Sequence, residues 1–381
     1  PTVWKTNLSA GYDFELPIPV AGDNWRVQLD YIYGENENAL FWYDLRAVQA
    51  GVAPDGRPVY TRSTTGTVGA NVFDMMLTNT DKGYSKSIAL SLFKDFDAGV
   101  LDGLSLRAAY TYTRATDANP MTSSIADSSF VRFDTSDHNN PSEATSDYEI
   151  RDRFTLSVDY GREFFGDNET RLTVFGQKRS GLPFSYTFAG SRTGIFDIDF
   201  GNLVTQSYSG LQASSNQLVY VPQRESSGYV TLTSDPKVTY AAGFNIAGFN
   251  DFLKSSGLMG YSGKIAPRNA FTTDDVTTWD LRISQEFPAF FPGAAKFKAY
   301  MDIENFGNLL NDEWGVLEQY TFHRGVPAVT MNCVGGLVLP TAAASCAGAS
   351  SYRYSAYSDV KPFTVTNPSL WQIKVGIRYE F

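Results

Sequence analysis

The residues best placed to do chemistry in this chain are charged side chains set two apart. Asp280-Leu281-Arg282-Ile283-Ser284-Gln285-Glu286, Lys296-Phe297-Lys298 and Asp302-Ile303-Glu304 all show the spacing. On a strand, positions i and i+2 share a face, so such runs offer acids and bases to a neighbouring strand on one side. Arg26, Asp30, Arg107, Arg153, Asp159, Arg171 and Gln177 fall on similar alternating stretches upstream. This is the chemistry of ion pairing and of contact with a solute or another polypeptide. Catalytic signatures are missing from the sequence: no Gly-x-Ser-x-Gly, no His-Glu-x-x-His, no phosphate-binding Gly loop followed by Lys-Ser/Thr and no dinucleotide fingerprint. The adjacent Asp274 and Asp275 have nothing near them to drive their pKa values apart. With two histidines, His138 and His323, a His-based metal or catalytic centre is not expected, nor is a cofactor. Asp134, Asp137, His138, Asn139, Asn140 and Glu143 form an oxygen-rich stretch, but the Gly-centred spacing of a calcium loop is absent, and a solvated loop is expected. The two cysteines, Cys333 and Cys346, fall in one long connection and would form a disulfide in an oxidising compartment.

The elements that carry these charges are long strands. Trp4, Thr6, Leu8, Ala10, Tyr12 and Phe14 share one face, and Lys5, Asn7, Ser9 and Asp13 the other. Trp25 to Tyr33, Tyr84 to Phe96, Leu104 to Tyr112, Arg153 to Tyr160, Trp279 to Ile283 and Phe297 to Ile303 alternate in the same way, with Lys86 and Lys94 near the ends of one apolar face. Arg171 to Arg179 is weaker, because Phe175 intrudes on the polar face. The last twelve residues, Leu370 to Phe381, alternate without a break: Trp371, Ile373, Val375, Ile377, Tyr379 and Phe381 against Gln372, Lys374, Gly376, Arg378 and Glu380. A tilted strand needs about 9–11 residues to cross a bilayer, and soluble strands average about 5–6.

Nine such strands are expected, with connections that alternate in length. Glu15–Asp23, Asp97–Gly103, Phe165–Asn168 and Pro288–Ala294 are short, whereas Glu35–Gly83, Ala115–Tyr148, Gly181–Thr277 and Asn305–Ser369 are long. That is the pattern of a bacterial barrel with tight periplasmic turns and large extracellular loops. Aromatics make up 14% of the chain, with 27 Phe and 22 Tyr, as the aromatic girdles of a barrel require. No segment approaches the ~18 apolar residues of a membrane helix. The net charge of −10 argues against a nucleic-acid partner. The fold expected is therefore all-β: an antiparallel transmembrane barrel segment whose polar face lines a lumen. A soluble antiparallel sandwich is the alternative, but it would have shorter strands and short loops at both ends. An odd strand count fits the C-terminal part of a larger barrel better than a whole one. In the outer loops, Leu40-Phe41-Trp42-Tyr43, Tyr60, Phe184, Tyr186, Phe188, Tyr208, Tyr220 and Tyr229 either capture a ligand or pack against each other, and packing is the stronger expectation.

Several motifs resemble the Oar-like branch of the TonB-dependent outer-membrane receptors. They are Ser256-Gly257-Leu258, Tyr261-Ser262-Gly263-Lys264-Ile265-Ala266-Pro267-Arg268-Asn269-Ala270-Phe271, Asp280 to Glu286, and Asp302-Ile303-Glu304-Asn305-Phe306-Gly307-Asn308-Leu309-Leu310-Asn311 with Trp314-Gly315. The terminal strand, with Trp371, Ile377, Tyr379 and Phe381, resembles the signal that such barrels present to the barrel-assembly machinery. The resemblance implies a barrel of about 22 strands with a plugged lumen. It also implies localisation in the outer membrane of a Gram-negative bacterium and capture of a solute by the outer loops. Uptake would be driven by an inner-membrane TonB complex acting through an N-terminal plug. On that reading the partners are outer-membrane lipid, the assembly machinery, and a plug and further strands from the same polypeptide or another chain. The lumen-facing residues would be Arg26, Asp30, Arg107, Arg153, Asp159, Arg171, Gln177, Asp280, Arg282, Glu286, Lys298, Asp302 and Glu304, contacting the plug or pairing across strands. An adhesive surface barrel and a passive porin-like channel are the alternative functions.

Overall fold

The computed structural model describes residues 2–19, 22–62, 74–189, 214–289, 295–321, 325–338 and 345–380. Nine long strands form one antiparallel meander in chain order: β1 (Val3–Phe14), β2 (Trp25–Asn36), β3 (Tyr84–Asp95), β4 (Leu104–Asp117), β5 (Asp152–Phe165), β6 (Asn168–Arg179), β7 (Val276–Pro288), β8 (Lys296–Glu304) and β9 (Gln372–Glu380). Each pairs with the next, which puts the short turns at one end of the sheet and the long connections at the other. The described sheet is open, with β1 and β9 as its edges. Among the described residues no helix is long and apolar enough to cross a membrane.

Register gives the two faces opposite characters. In an antiparallel pair directly opposed residues lie on the same face, so the pairing can be followed across the sheet. Leu29 opposes Leu90, which opposes Tyr110, which opposes Phe154. Val174 opposes Leu281, which opposes Ile303, which opposes Ile373. Most of this apolar face is bare: Leu8, Tyr12, Leu90, Tyr110, Val375 and Ile377 are all exposed, Val375 by 77%, while Ile303 near the long connections is buried. On β3 the apolar stretch is bounded by Lys86 and Lys94, about 26 Å apart at ~3.3 Å per residue. Lys94 is on the apolar face and yet buried, because its ammonium bends to the turn and donates to the carbonyls of Asp23 (2.5 Å) and Asp95 (2.8 Å). Its Nζ also lies 4.4 Å from the Phe96 ring centroid.

The hydrophobic core lies outside this sheet, in the long connections. Pro183–Ala189 pairs in parallel with Gly325–Val334, which pairs antiparallel with Ser351–Tyr357, which pairs in parallel with Val238–Tyr240. The third and fourth connections are therefore woven into one cap. Phe184, Tyr186, Phe188, Val219, Phe249, Leu253, Val326, Tyr352 and Tyr354 make its interior, and the first connection adds Ala53 and Val59. A second, smaller cluster packs Trp42 and Tyr60 of the first connection against Phe130 and Val131 of the second. Packing is the role of most loop aromatics named from sequence: Phe41, Phe184, Tyr186, Phe188 and Tyr220 are buried, while Tyr229 is exposed. Tyr208 lies outside the described residues. Cys333 and Cys346 are joined by a disulfide, with Cα atoms 5.2 Å apart. It holds the neighbouring Gly348 where its N–H donates to Val52 O of the first connection (2.9 Å).

Candidate functional site

The face opposite the apolar one carries every charge named above on β1 to β9 except Lys86 and Lys94. Arg26 is followed across the sheet by Phe93, Arg107, Ser157, Phe175 and Asp280. One row over, Ser105, Asp159, Thr173, Arg282, Asp302 and Lys374 stand in line. Asp30, Arg153, Arg171, Gln177, Glu286, Lys298 and Glu304 occupy the same face. Phe175 is on this face too, with the exposed ring that the sequence pattern indicates.

Most of these charges are paired with one another. At the short-turn end of β5 to β8, Arg171 reaches Asp159 and Glu169 at 2.6 Å each. Glu286 takes Lys296 at 2.9 Å and Lys298 at 3.6 Å, and Lys298 also approaches Glu169 at 3.6 Å. Arg282 lies 3.5 Å from Asp302 on the next strand, and its guanidinium carbon is 4.7 Å from the Tyr300 ring centroid. Lys374 pairs with Glu304, and Arg26 pairs with Asp13 at 2.7 Å. Ser9 and Gln28 donate to Asp30. Cross-strand pairing is thus the observed role of Asp159, Arg171, Arg282, Glu286, Lys298, Asp302 and Glu304. The exposed pairs contribute about 0–1 kcal/mol each, so they fix register and wetness more than stability. At the short-turn end of β1 to β4 the face sinks into a hollow of about 970 Å³, lined by Asp13, Trp25, Arg26, Phe93, Asp95 and Arg107.

Asp280 is tied to the backbone rather than to a charge on a neighbouring strand. Its Oδ1 accepts from the N–H of Asn305 at 2.7 Å, where Asn305 turns the chain in a left-handed conformation at φ 50°. The Asn305 amide then donates to Gly315 O (3.1 Å) and Ser369 O (3.0 Å), and Asn308 donates to Asp312 O and Trp314 O. The Asn-Phe-Gly-Asn motif therefore pins both ends of the fourth connection to β7. Gly315 is also left-handed, at φ 66°, and a Cβ there would lie 2.0 Å from Asn305 Oδ1.

The Arg268-Asn269 segment bolts the third connection to the second. Arg268 is buried, with its Nη2 2.6 Å from Asp117 Oδ1 and its guanidinium 5.7 Å from the Phe133 ring centroid. Asn269 donates to Thr145 O (2.8 Å) and Asp147 Oδ1 (2.6 Å), and its own N–H donates to Ser185 Oγ (3.0 Å). The oxygen-rich stretch has a similar role, which corrects its reading as a solvated loop. Asp134, His138 and Asn139 are buried. Asn139 exchanges hydrogen bonds with the backbone of Asp44, accepting at 3.0 Å and donating at 3.1 Å. Tyr60 donates to Asp137 (3.0 Å), and Glu143 accepts from Gly83 N and Thr116 Oγ1. Its oxygens are spent on joining the first and second connections, and the described residues contain no cluster of His, Cys, Asp or Glu suited to a metal.

A buried ion pair fastens the first connection into the cap. Asp55 and Arg57, with side chains 0% exposed, meet at 2.6 Å. Arg57 also donates to Gln217 Oε1 (3.1 Å) and Leu218 O (2.7 Å) in the third connection, and its guanidinium is 5.3 Å from the Phe188 ring centroid. Burial by itself would raise the Asp55 carboxyl, but the charge and hydrogen bonds of Arg57 outweigh it, so the group titrates below the usual carboxylate range. Burial pushes the Tyr186 hydroxyl up to about 12.

Of the residues expected to guide assembly, Trp371, Ile377 and Tyr379 are exposed on the apolar side, the Tyr379 ring 5.0 Å from that of Phe297. Phe381 lies outside the described residues. Comparison with family models, with curated proteins and with solved structures returns no match.

Proposed function

We propose that this chain is the C-terminal barrel part of an Oar-like TonB-dependent receptor in a Gram-negative outer membrane. The supporting observation is the nine-stranded meander with one largely exposed apolar face and one polar, ion-paired face. A sheet whose apolar face largely meets water is not viable, whereas lipid on that face is the natural environment of a barrel. The edges of β1 and β9 carry unpaired backbone groups that closure onto further strands would satisfy. In the closed barrel the polar face lines the lumen, and the hollow beside Arg26 and Arg107 is where a plug rests. The cap woven from the long connections faces outward and captures the solute, which passes once the TonB complex remodels the plug.

The test is fractionation of the native cells, followed by the intact mass of the polypeptide. The proposal expects an outer-membrane protein with heat-modifiable migration and a mass well above the 42.1 kDa of this chain. Recovery in the soluble fraction, or a native mass near 42.1 kDa, refutes it.

A further inference from the structure

Among the described residues the polar face holds one directly opposed pair of arginines that no acid neutralises. Arg153 of β5 and Arg179 of β6 are directly opposed in the register. Opposed residues have Cβ atoms about 4.5–5.5 Å apart, and like charges in that position destabilise a sheet. Elsewhere on this face Arg26, Arg171, Arg282, Lys296, Lys298, Lys374 and Arg378 each contact a carboxylate, while Lys5 and Arg107 stand singly and face no second cation in the register. Among the described residues Arg153 and Arg179 contact none. Arg153 instead donates to the amide oxygen of Gln177, one position along the same face.

Most nearby acids are engaged or turned away. Asp159 is held by Arg171 and Thr173. Asp280 receives Asn305. Asp152 lies on the apolar side, taking the Tyr110 hydroxyl, and Asp275 pairs with Lys178. Asp274, close in sequence to the Val276 that faces Arg179, is exposed and forms no ion pair among the described residues. Thr111, which opposes Arg153, adds a hydroxyl to the rim of the site. In a chain of net charge −10, a guanidinium pair left this way is a directed feature rather than an excess of base.

We infer that Arg153 and Arg179 form a binding site for an anionic group, a carboxylate or a phosphate, at the cap end of the polar face. Planar guanidinium forks bind such groups with two parallel hydrogen bonds, which an ammonium cannot reproduce. The Gln177 amide and the Thr111 hydroxyl supply neutral partners beside them. The anion neutralises the cross-strand repulsion, so the site is most stable when filled. The inference rests on the lumen reading above, because only an enclosed polar face shields the site from bulk water and salt.

The test uses the full-length polypeptide purified from outer membranes, with citrate as probe and chloride at equal ionic strength as control. Heat-modifiable migration reports the barrel separately. Citrate is expected to raise the thermal midpoint of the native protein. Arg153→Gln and Arg179→Gln should weaken citrate binding by at least about tenfold. Lysine at either position should retain part of the response, and Lys86→Gln, on the apolar face, should retain all of it. That pattern identifies a free solute as the source of the anion. If citrate has no effect but the two Gln variants, and not the Lys variants, lower the midpoint by several degrees, the anion is a carboxylate of a polypeptide already seated there. A heat-modifiable protein showing neither pattern overturns the site while leaving the barrel reading intact. A native protein that is not heat-modifiable overturns the barrel reading and this inference with it.

Discussion

Replacing Arg57 with methionine should free the hairpin of Ala47–Val52 and Pro58–Arg62 from the cap while the nine-stranded sheet stays folded. The substitution removes the contact to Asp55 at 2.6 Å and the hydrogen bonds to Gln217 and Leu218 O. It also leaves the Asp55 carboxylate, 0% exposed, without a counter-charge. Breaking a buried pair from one side costs about 3–5 kcal/mol, whereas replacing both partners by neutral groups of similar volume is often close to neutral. The natural assay is amide hydrogen exchange at Ala53 and Gly56, whose N–H groups donate to Arg57 O and Ala53 O at 2.9 Å each. At about 1.4 kcal/mol per factor of ten, Arg57→Met should speed their exchange by about a hundredfold to several thousandfold. The double variant Asp55→Asn with Arg57→Met should recover most of that protection. Exchange within tenfold of the native rate in the single variant, or a double variant no slower than the single, would refute the reasoning that an uncompensated charge is the main cost.

The same pair gives a pH dependence. The folded carboxyl of Asp55 titrates below the unfolded value of about 3.9, so its contribution is fully present above that value and is lost as pH falls through the folded one. Hairpin protection should hold steady from neutrality to about pH 4 and then decline, and Asp55→Asn should abolish that acid limb. Arg268→Ala removes a charge-assisted bond to Asp117, a loss of about 1.5–3 kcal/mol, and should expose the connection over residues 118–151 to protease, with lysine restoring part of the protection. Asn305→Ala leaves Gly315 O and Ser369 O without their donor, at about 1–3 kcal/mol each, and should be seen as faster proteolysis of the fourth connection. On the proposed barrel reading, Val375→Arg on the apolar face of β9 should cost about 2–4 kcal/mol near the bilayer midplane and reduce the heat-modifiable fraction, while Val375→Leu should not.

Strand pairing was legible because alternation with a period of two is written directly into each segment. Arg282 and Asp302 were expected on neighbouring strands from the order of their elements, and they oppose one another in the register. Asp280 was named from the same pattern, but its partner is a backbone N–H supplied by the turn at Asn305, which no side-chain periodicity encodes. The oxygen-rich stretch from Asp134 to Glu143 read as solvated because polarity in a loop ordinarily means water. Its atoms instead satisfy the backbone of the first connection, and that role depends on a segment 95 residues away in sequence for the Asn139–Asp44 contact.

The sequence by itself determined the nine long strands, their amphipathic faces and the alternation of short and long connections, since each follows from local spacing. Tertiary structure alone decided where the core would lie. The sheet keeps most of its apolar side bare, while the long connections interleave through parallel pairings between segments more than a hundred residues apart, such as Ser185 with Gly325. Contacts of that range leave no periodic trace, because they are chosen by burial of Phe184, Tyr186 and Tyr354 together rather than by any one segment's pattern. The opposition of Arg153 and Arg179 belongs to the same class. Each arginine is an ordinary polar-face residue in its own strand, and only the register brings the two charges together.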